Sequence, residues 1–389
     1  MKRLIITALL SVAASILFAD GDADFYTNQF NAAGTVVEQL AVVESAVEQN
    51  TDANAFYASA LNRLLAEYPS IKTAQEFAAA DKLAQTLVKV LGEAKYTDAA
   101  LDVWRTVTVF SNPVVKADCL VYLGAMQATD FFPQVVQTLK DVNAKGPVNR
   151  LSGERIAYGA IVSLANYNDP SGYLPVFFAS NGWYSNWVKR QASSTLSQLQ
   201  DDPTDQLVTA ITDPAYAYDQ KLLALQTLEK SSTTEDNKAK AASAALAQGW
   251  RGSSPNPDIQ SDVVRMRKLA ISMLAKYGTS EENATETVGF LNRSYRYGAD
   301  EEEQFLTIDA LSKIATEDAI KNIGDYITDI NERRVRKVFN KMDERRIRAL
   351  IIGAGNTHSQ NAKPYIQSVL GIEWTKPILK LAKQKMDEL

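Results

Sequence analysis

The chain contains very little cysteine and histidine, and this scarcity restricts the chemistry open to it. Cys119 is the single cysteine of the 389 residues, so no disulfide can form within the chain. His358 is the single histidine, so cysteine and histidine ligands cannot assemble a metal site, and a Ser-His-Asp or Cys-His set would have to use this residue. The sequence therefore assigns no catalytic, cofactor-binding or metal-binding residues and favours a protein that is not an enzyme.

Three short patterns resemble reactive or nucleotide-binding sites. Cys119 falls on the apolar face of a predicted helix, where a small buried side chain is expected. His358 lies in a polar loop and is expected at the surface. Residues 351–356 resemble the start of a dinucleotide-binding loop, but the 31 residues after His358 cannot hold the fold which that loop requires. We expect Gly353 and Gly355 to end a helix instead.

The chain also lacks a positive net charge and a long apolar run beyond residue 18. Its formal charge is −5, and a net acidic chain is a poor general binder of nucleic acid, so nucleic acid is not an expected partner. Spanning a bilayer takes roughly 20 apolar residues, and no later stretch meets that requirement. No transmembrane helix is therefore expected after the first residues are removed.

The first residues have the pattern of a secretory signal peptide. Lys2 and Arg3 form a basic start, the apolar run 4–18 follows, and Ala19 ends a plausible cleavage motif. Residues 1–19 are therefore predicted to be a signal peptide, with an uncleaved anchor as the alternative. Cleavage removes Lys2 and Arg3 and lowers the formal charge from −5 to −7.

The compartment is inferred from the absence of disulfides. An exported protein of this length without them is typical of a bacterial envelope, so the periplasm is expected. Secretion or the ER lumen is the alternative, because residues 386–389 are close to an ER-retention signal and Asn283 and Asn292 begin glycosylation motifs.

Apolar side chains recur at helical spacing throughout the mature chain. Residues 20–96 are predicted to form an N-terminal helical region or cap. From residue 97 onward a helix pair recurs, and Pro133 and Pro175 begin equivalent second helices 42 residues apart. Helix pairs at such a spacing are typical of an α-solenoid, whose units bury their apolar faces against each other. We predict an all-α solenoid of about six to seven pairs over 97–372 and a capping helix over 373–389.

Residues 114–141 are the best copy of the unit. The copy has a small residue in the first helix, an Asp in the turn, and in the second helix a Pro two residues before an apolar residue and a closing Leu. The residues that carry this pattern are Val115, Cys119, Leu123, Gly124, Asp130, Pro133, Val135 and Leu139. The pattern resembles the HEAT-like repeat family, and residues 156–177 and 347–370 carry it less completely. The resemblance implies an armadillo-like helical scaffold for binding proteins or peptides.

Residues 333–348 form the densest basic segment of the chain. The acidic residues 300–303 lie one repeat earlier, so mutual neutralisation between stacked units is one interpretation. The other is a binding site for an acidic protein or another anionic surface, because arginine makes forked contacts with carboxylate and phosphate. The candidate binding residues here are Arg333, Arg334, Arg336, Arg345, Arg346 and Arg348.

The link between two predicted units is the most aromatic segment. Trp183, Tyr184 and Trp187 lie there among polar residues. They either fold back over an apolar seam or project as interface anchors, since Trp and Tyr dominate binding hot spots. They complete the set of candidate partner-binding residues.

These features favour an exported, non-enzymatic repeat scaffold or adaptor that binds a protein partner of unknown identity in the cell envelope. A structural subunit of a larger envelope assembly is the alternative. A wall-polymer hydrolase or lyase is a further alternative, and it would need facing carboxylates that we cannot pair in the sequence.

Overall fold

The structure, a computed structural model, describes residues 23–49 and 52–389. The predicted signal peptide, residues 1–19, lies outside the described residues. Every regular element in the described ranges is a helix, which confirms the predicted all-α class. Among these helices, none is both long and apolar enough to cross a membrane.

The chain divides into two compact units, Met1–Asp201 and Asp202–Leu389. The helices described in the first unit are α1 (23–32), α2 (Val36–Glu48), α3 (Asn54–Glu67), α4 (Ala74–Glu93), α5 (Ala100–Val109), α6 (Pro113–Ala125), α7 (Phe132–Lys145), α8 (Arg150–Tyr167), α9 (Tyr173–Asn181) and α10 (Asn186–Leu199). Those of the second unit are α11 (Thr204–Thr212), α12 (Tyr218–Lys230), α13 (Glu235–Arg251), α14 (Pro257–Tyr277), α15 (Glu281–Tyr297), α16 (Glu301–Ile314), α17 (Glu317–Val335), α18 (Lys341–Asn356), α19 (Lys363–Leu370) and α20 (Lys376–Glu388).

Within each unit the helices pack as sequence-adjacent pairs in two layers. In the second unit α12, α14, α16, α18 and α20 contact one another in order, and so do α11, α13, α15, α17 and α19. In the first unit α2, α4, α6, α8 and α10 form the equivalent row. This alternation confirms a solenoid-like fold. It also extends to α2–α5, which the sequence analysis grouped as a separate N-terminal region.

The second helices begin at the prolines from which their starts were predicted. Pro133 and Pro364 lie in the first turns of α7 and α19, where a missing N–H leaves no hydrogen bond unmade. Asn112 caps α6 by accepting a hydrogen bond from the Val114 N–H at 2.9 Å. These three helices therefore begin where the sequence supplies a proline or a capping side chain.

A recurring turn joins several first helices to their partners. Lys95, Gln127, Asn168 and His358 each adopt a positive φ after the first helix, and a short 3₁₀ turn then leads into the second helix. After α6, the Ala128 N–H donates to the Leu123 carbonyl at 3.2 Å, which closes the helix end in the Schellman manner. His358 is exposed, as predicted, and it occupies the left-handed position of this turn.

Glycines allow the closest approaches between helices of one row. A Cβ added at Gly159 of α8 would lie 2.5 Å from the Ala117 carbonyl oxygen of α6. Gly353 and Gly355 lie inside α18, which continues to Asn356, so the expectation that they end the helix is wrong. A Cβ at Gly353 would lie 2.7 Å from Ile308, so this glycine lets α16 approach α18 closely.

Polar side chains link neighbouring pairs at the repeat spacing. Many of the side-chain bonds between pairs join residues 29 to 44 positions apart, as in the bond from Asn143 to the Pro175 carbonyl. The most buried link is Arg267 of α14 with Glu303 of α16, at 2.8 and 3.0 Å, and Glu303 is fully buried. Cys119 is also fully buried, and burial raises the pKa of its thiol. It is therefore a packing residue, as predicted.

Candidate partner-binding surfaces

The aromatic segment after α9 is divided between the interior and the surface. Tyr184 is buried and donates from its hydroxyl to the Asn143 Oδ1 at 2.7 Å. Its ring stacks on Trp183, with 4.1 Å between the ring centroids. Trp183 is half-buried and lies against Gly153, where an added Cβ would come within 2.9 Å of the indole. These two rings cover the seam between α7 and α8.

Glu154 of α8 is hydrogen-bonded to the backbone of this aromatic segment. It is 5% exposed, and its Oε1 accepts hydrogen bonds from Arg150 Nε and from the Ser185 N–H, both at 2.9 Å. Burial alone would raise the pKa of Glu154, but these hydrogen bonds and the Arg150 charge outweigh it and lower the pKa. The ionised carboxylate therefore fixes the backbone at Ser185, between Tyr184 and Trp187.

Trp187 is the aromatic residue of the segment that remains available to a partner. It is 41% exposed at the start of α10. Its ring packs against Tyr158, with 4.6 Å between centroids, so the exposed face stands on a fixed support. A rigid, half-exposed tryptophan has the character of an interface anchor.

Two arginines of the basic segment support the fold. Arg333 and Arg346 both contact Asp343 Oδ1, at 3.2 and 3.5 Å, and Asp343 is 1% exposed. Asp343 also accepts a hydrogen bond from the Asn340 N–H at 3.0 Å as part of the capping box of α18. Because this carboxylate is buried, its two arginines fix the start of α18.

Three other arginines of the segment project outward. Arg336 has a side chain 73% exposed and pairs with Glu332 at 3.1 Å, one turn away. Arg345 is 66% exposed and pairs loosely with Glu301 at 3.8 Å. This contact supports the interpretation that stacked helix pairs partly neutralise each other's charge. Arg348 is exposed and has no ion pair among the described residues. Exposed pairs of this kind contribute little stability, so these cations remain free to meet a partner.

Arg334 belongs to a groove that was not predicted from the sequence. Its Nε and Nη2 donate to the Glu373 carbonyl at 2.9 and 2.8 Å, and its guanidinium lies 3.8 Å from the centre of the Phe339 ring. The groove has a volume of about 490 Å³. Its lining residues are Arg334, Val335, Lys337, Phe339, Gly371, Ile372 and Glu373. The sequence offered one hint, the apolar residues inserted in a basic run.

The positive charge extends well beyond residue 348. Residues 333–389 contain thirteen Lys and Arg against five Asp and Glu, a net charge of +8 in a chain whose total is −5. On α20, Lys376, Lys380 and Lys383 share an exposed face at helical spacing, opposite the buried Ile378 and Ala382. The last helices of the second unit therefore form a cationic surface on a net acidic protein.

Comparison with known proteins does not assign the chain to a family. No protein-family model matches the chain, and no curated protein matches it. Among solved structures, the chain is similar to a crystal structure of an engineered protein, with 14% identity and a TM-score of 0.30 over 94% of this chain and 98% of that chain. A likeness at this level supports no argument, and the resemblance to HEAT-like repeats stays a prediction.

Proposed function

We propose that the chain is an exported, non-enzymatic scaffold or adaptor of HEAT-like helix pairs that binds a protein partner in a bacterial periplasm. The observation that carries the proposal is the cationic surface of residues 333–389, with Arg336, Arg345 and Arg348 exposed on it. Arginine is enriched at the energetic centres of protein interfaces, because its planar group makes forked contacts with carboxylates. An acidic protein surface is the matching partner.

The way that this surface is supported favours binding. Asp343 fixes the start of α18 through Arg333 and Arg346, and polar links at the repeat spacing tie neighbouring pairs together. A surface held in one arrangement loses little conformational freedom when a partner docks. Complementary charge also speeds the encounter between the two proteins.

The proposal is tested by quantitative cross-linking and capture from the native cell envelope. The variant Arg336→Glu, Arg345→Glu, Arg348→Glu reverses three exposed charges, and we expect it to lose the main cross-linked species. A matched control, Lys140→Glu, Lys230→Glu, Lys321→Glu, makes the same change in net charge at exposed sites elsewhere. If both variants capture the species as the wild type does, the cationic surface is not the binding surface.

Size-exclusion chromatography with light scattering separates an adaptor from a building block. We expect the purified mature chain to be a monomer. A defined oligomer that dissociates in the triple arginine variant would favour the structural-subunit alternative, because the cationic surface would then bind other copies of the chain.

A further inference from the structure

The groove beside Arg334 combines an apolar floor with a cationic rim. Val335, Phe339 and Ile372 supply apolar surface, while Arg334 and Lys337 supply positive charge. Val335 is 62% exposed, and Val338 beside the groove is 68% exposed, so both present apolar surface next to each other there. A volume of about 490 Å³ is enough for one or two side chains of a bound segment.

The floor of the groove is fixed before any partner arrives. Trp374 is buried beneath it, and its Nε1 donates to Asn331 Oδ1 at 2.8 Å. The Arg334 guanidinium lies 5.1 Å from the centre of the Trp374 ring and is held by two hydrogen bonds to the Glu373 carbonyl. Within the described chain, no hydrogen bond uses Arg334 Nη1. Binding would therefore require little rearrangement of the groove.

The charge around the groove selects the partner. Glu373 is the one acidic residue that lines it, against Arg334 and Lys337. Lys337 is exposed, and the structure shows no ion pair for it among the residues described. The surrounding residues 333–389 carry a net charge of +8. An apolar floor inside a cationic rim matches an apolar side chain that is flanked by carboxylates.

We propose that this groove binds an acidic linear segment of a partner protein. One apolar side chain of the segment packs against Val335, Phe339 and Ile372, and carboxylates on either side of it contact Lys337 and Arg334. Because the groove is concave, it fits a side chain of a peptide better than the flat surface of a membrane. The inference rests on the proposed protein-binding function and names the chemistry of the partner.

The test is fluorescence anisotropy with a labelled peptide in which a central phenylalanine is flanked by aspartates. We expect saturable binding to the mature chain that weakens as salt is raised from about 0.05 to 0.5 M. Val335→Gln and Lys337→Gln should each weaken binding roughly tenfold, because each removes one well-placed contact. Leu151→Gln and Lys140→Gln are the controls at exposed positions of the first unit, and they should bind like the wild type.

Peptide variants complete the design. Replacing the phenylalanine by glycine, or the aspartates by asparagine, should abolish measurable binding. Equal binding by either altered peptide, or no saturable binding of the acidic one, would overturn the proposal. The proposal would also be overturned if Val335→Gln and Lys337→Gln weakened binding of the chain to phosphatidylglycerol vesicles, or to a second copy of the chain, but did not weaken binding of the peptide.

Two outcomes distinguish failure of this inference from failure of the proposed function. If the groove variants bind the peptide normally but the triple arginine variant still loses its cross-linked partner, the groove assignment is wrong and the scaffold function stands. If neither set of variants changes any binding, the groove assignment and the proposed scaffold function are both wrong. Circular dichroism and melting temperature confirm that Val335→Gln and Lys337→Gln stay folded, as expected for exposed side chains.

Discussion

Two buried carboxylates link their helices to neighbouring parts of the chain, and they make different demands on their surroundings. Glu154 accepts bonds from Arg150 and the Ser185 backbone, and it stays ionised because those bonds outweigh burial. Glu303 is fully buried and depends on one cation, Arg267, together with the Ala299 N–H at 2.8 Å. Replacing either carboxylate or its partner therefore has a distinct expected cost.

Replacing Glu154 by Gln should alter the acid side of the stability profile. The folded chain holds the pKa of Glu154 below its usual value of 4.5. The ionised carboxylate therefore adds to the free energy of unfolding above pH 4.5, and this contribution is lost as the pH falls through the lowered pKa. Glu154→Gln should cost about 1 to 2 kcal/mol at neutral pH through the weaker hydrogen bonds. Urea denaturation between pH 7 and pH 3 should show a smaller acid loss in the variant than in the wild type.

The control for this prediction is Glu93→Gln, at a carboxylate that is 61% exposed. It should leave both the neutral stability and the acid loss close to those of the wild type. An acid loss in Glu154→Gln as large as that of the wild type would show that the ionised carboxylate does not stabilise the aromatic segment.

Breaking the Arg267–Glu303 pair from one side should be more costly than removing both charges. Arg267→Met leaves a fully buried carboxylate without its cation and should cost about 3 to 5 kcal/mol. Adding Glu303→Gln removes that charge while keeping an acceptor for the Ala299 N–H, so the double variant should recover part of the loss. Chemical denaturation measures both, and a double variant less stable than the single would contradict this account.

At the scale of helices, close packing should override helix propensity at particular glycines. Gly159→Ala places a methyl group 2.5 Å from the Ala117 carbonyl of α6, so α6 and α8 must separate, at a cost of about 1 to 3 kcal/mol. Gly289 lies in the exposed middle of α15 with nothing within 4 Å of an added Cβ. Gly289→Ala should therefore stabilise by about 1 kcal/mol through propensity alone.

Thermal unfolding of the two alanine variants checks this prediction. The melting temperature should fall for Gly159→Ala and rise for Gly289→Ala, although the substitution is the same. A rise for both would mean that the α6–α8 approach is not limited by the missing Cβ.

The helices themselves were predictable because their apolar positions repeat and their starts carry prolines and caps. The helices predicted after residue 97 are present, in the number expected for six to seven pairs, and so is the final helix. The closer contacts between sequence-adjacent helices join the second helix of one predicted pair to the first helix of the next, as between α7 and α8. Helix α5, which packs against α3 and α6, was not predicted from the sequence. In α5 the exposed Leu101 breaks the apolar pattern set by the buried Val103 and Val107. The left-handed turn residues were also missed, since Lys95 and Gln127 are not typical of that conformation.

The candidate surfaces were less predictable than the helices because they depend on contacts between distant residues. A basic run indicates that positive charge is present, but it does not show that Arg333 and Arg346 share a buried Asp343 while Arg348 is exposed. The groove forms when residues 334 and 373, which are 39 positions apart, meet through a backbone carbonyl. Such a contact follows from the packing of α17 beside α19, which no local pattern indicates.

At the scale of the whole molecule, the distribution of charge is more informative than its total. Residues 333–389 carry +8, whereas residues 23–332 carry −13. A net acidic protein with one concentrated cationic segment presents a local positive potential that its isoelectric point of about 5.3 conceals. Its association with acidic partners should therefore depend on that segment and should weaken with salt.

Retention on a cation exchanger at pH 7 tests this charge asymmetry directly. Although its net charge is negative, the mature chain should bind a sulfonated resin at low salt through residues 333–389 and should elute by about 0.3 M salt. The variant Arg336→Glu, Arg345→Glu, Arg348→Glu should flow through, because it reverses three exposed charges within the segment. The variant Lys140→Glu, Lys230→Glu, Lys321→Glu has the same net charge and should still be retained. If the two variants elute together, net charge alone governs the interaction, and the cationic surface has no separate effect.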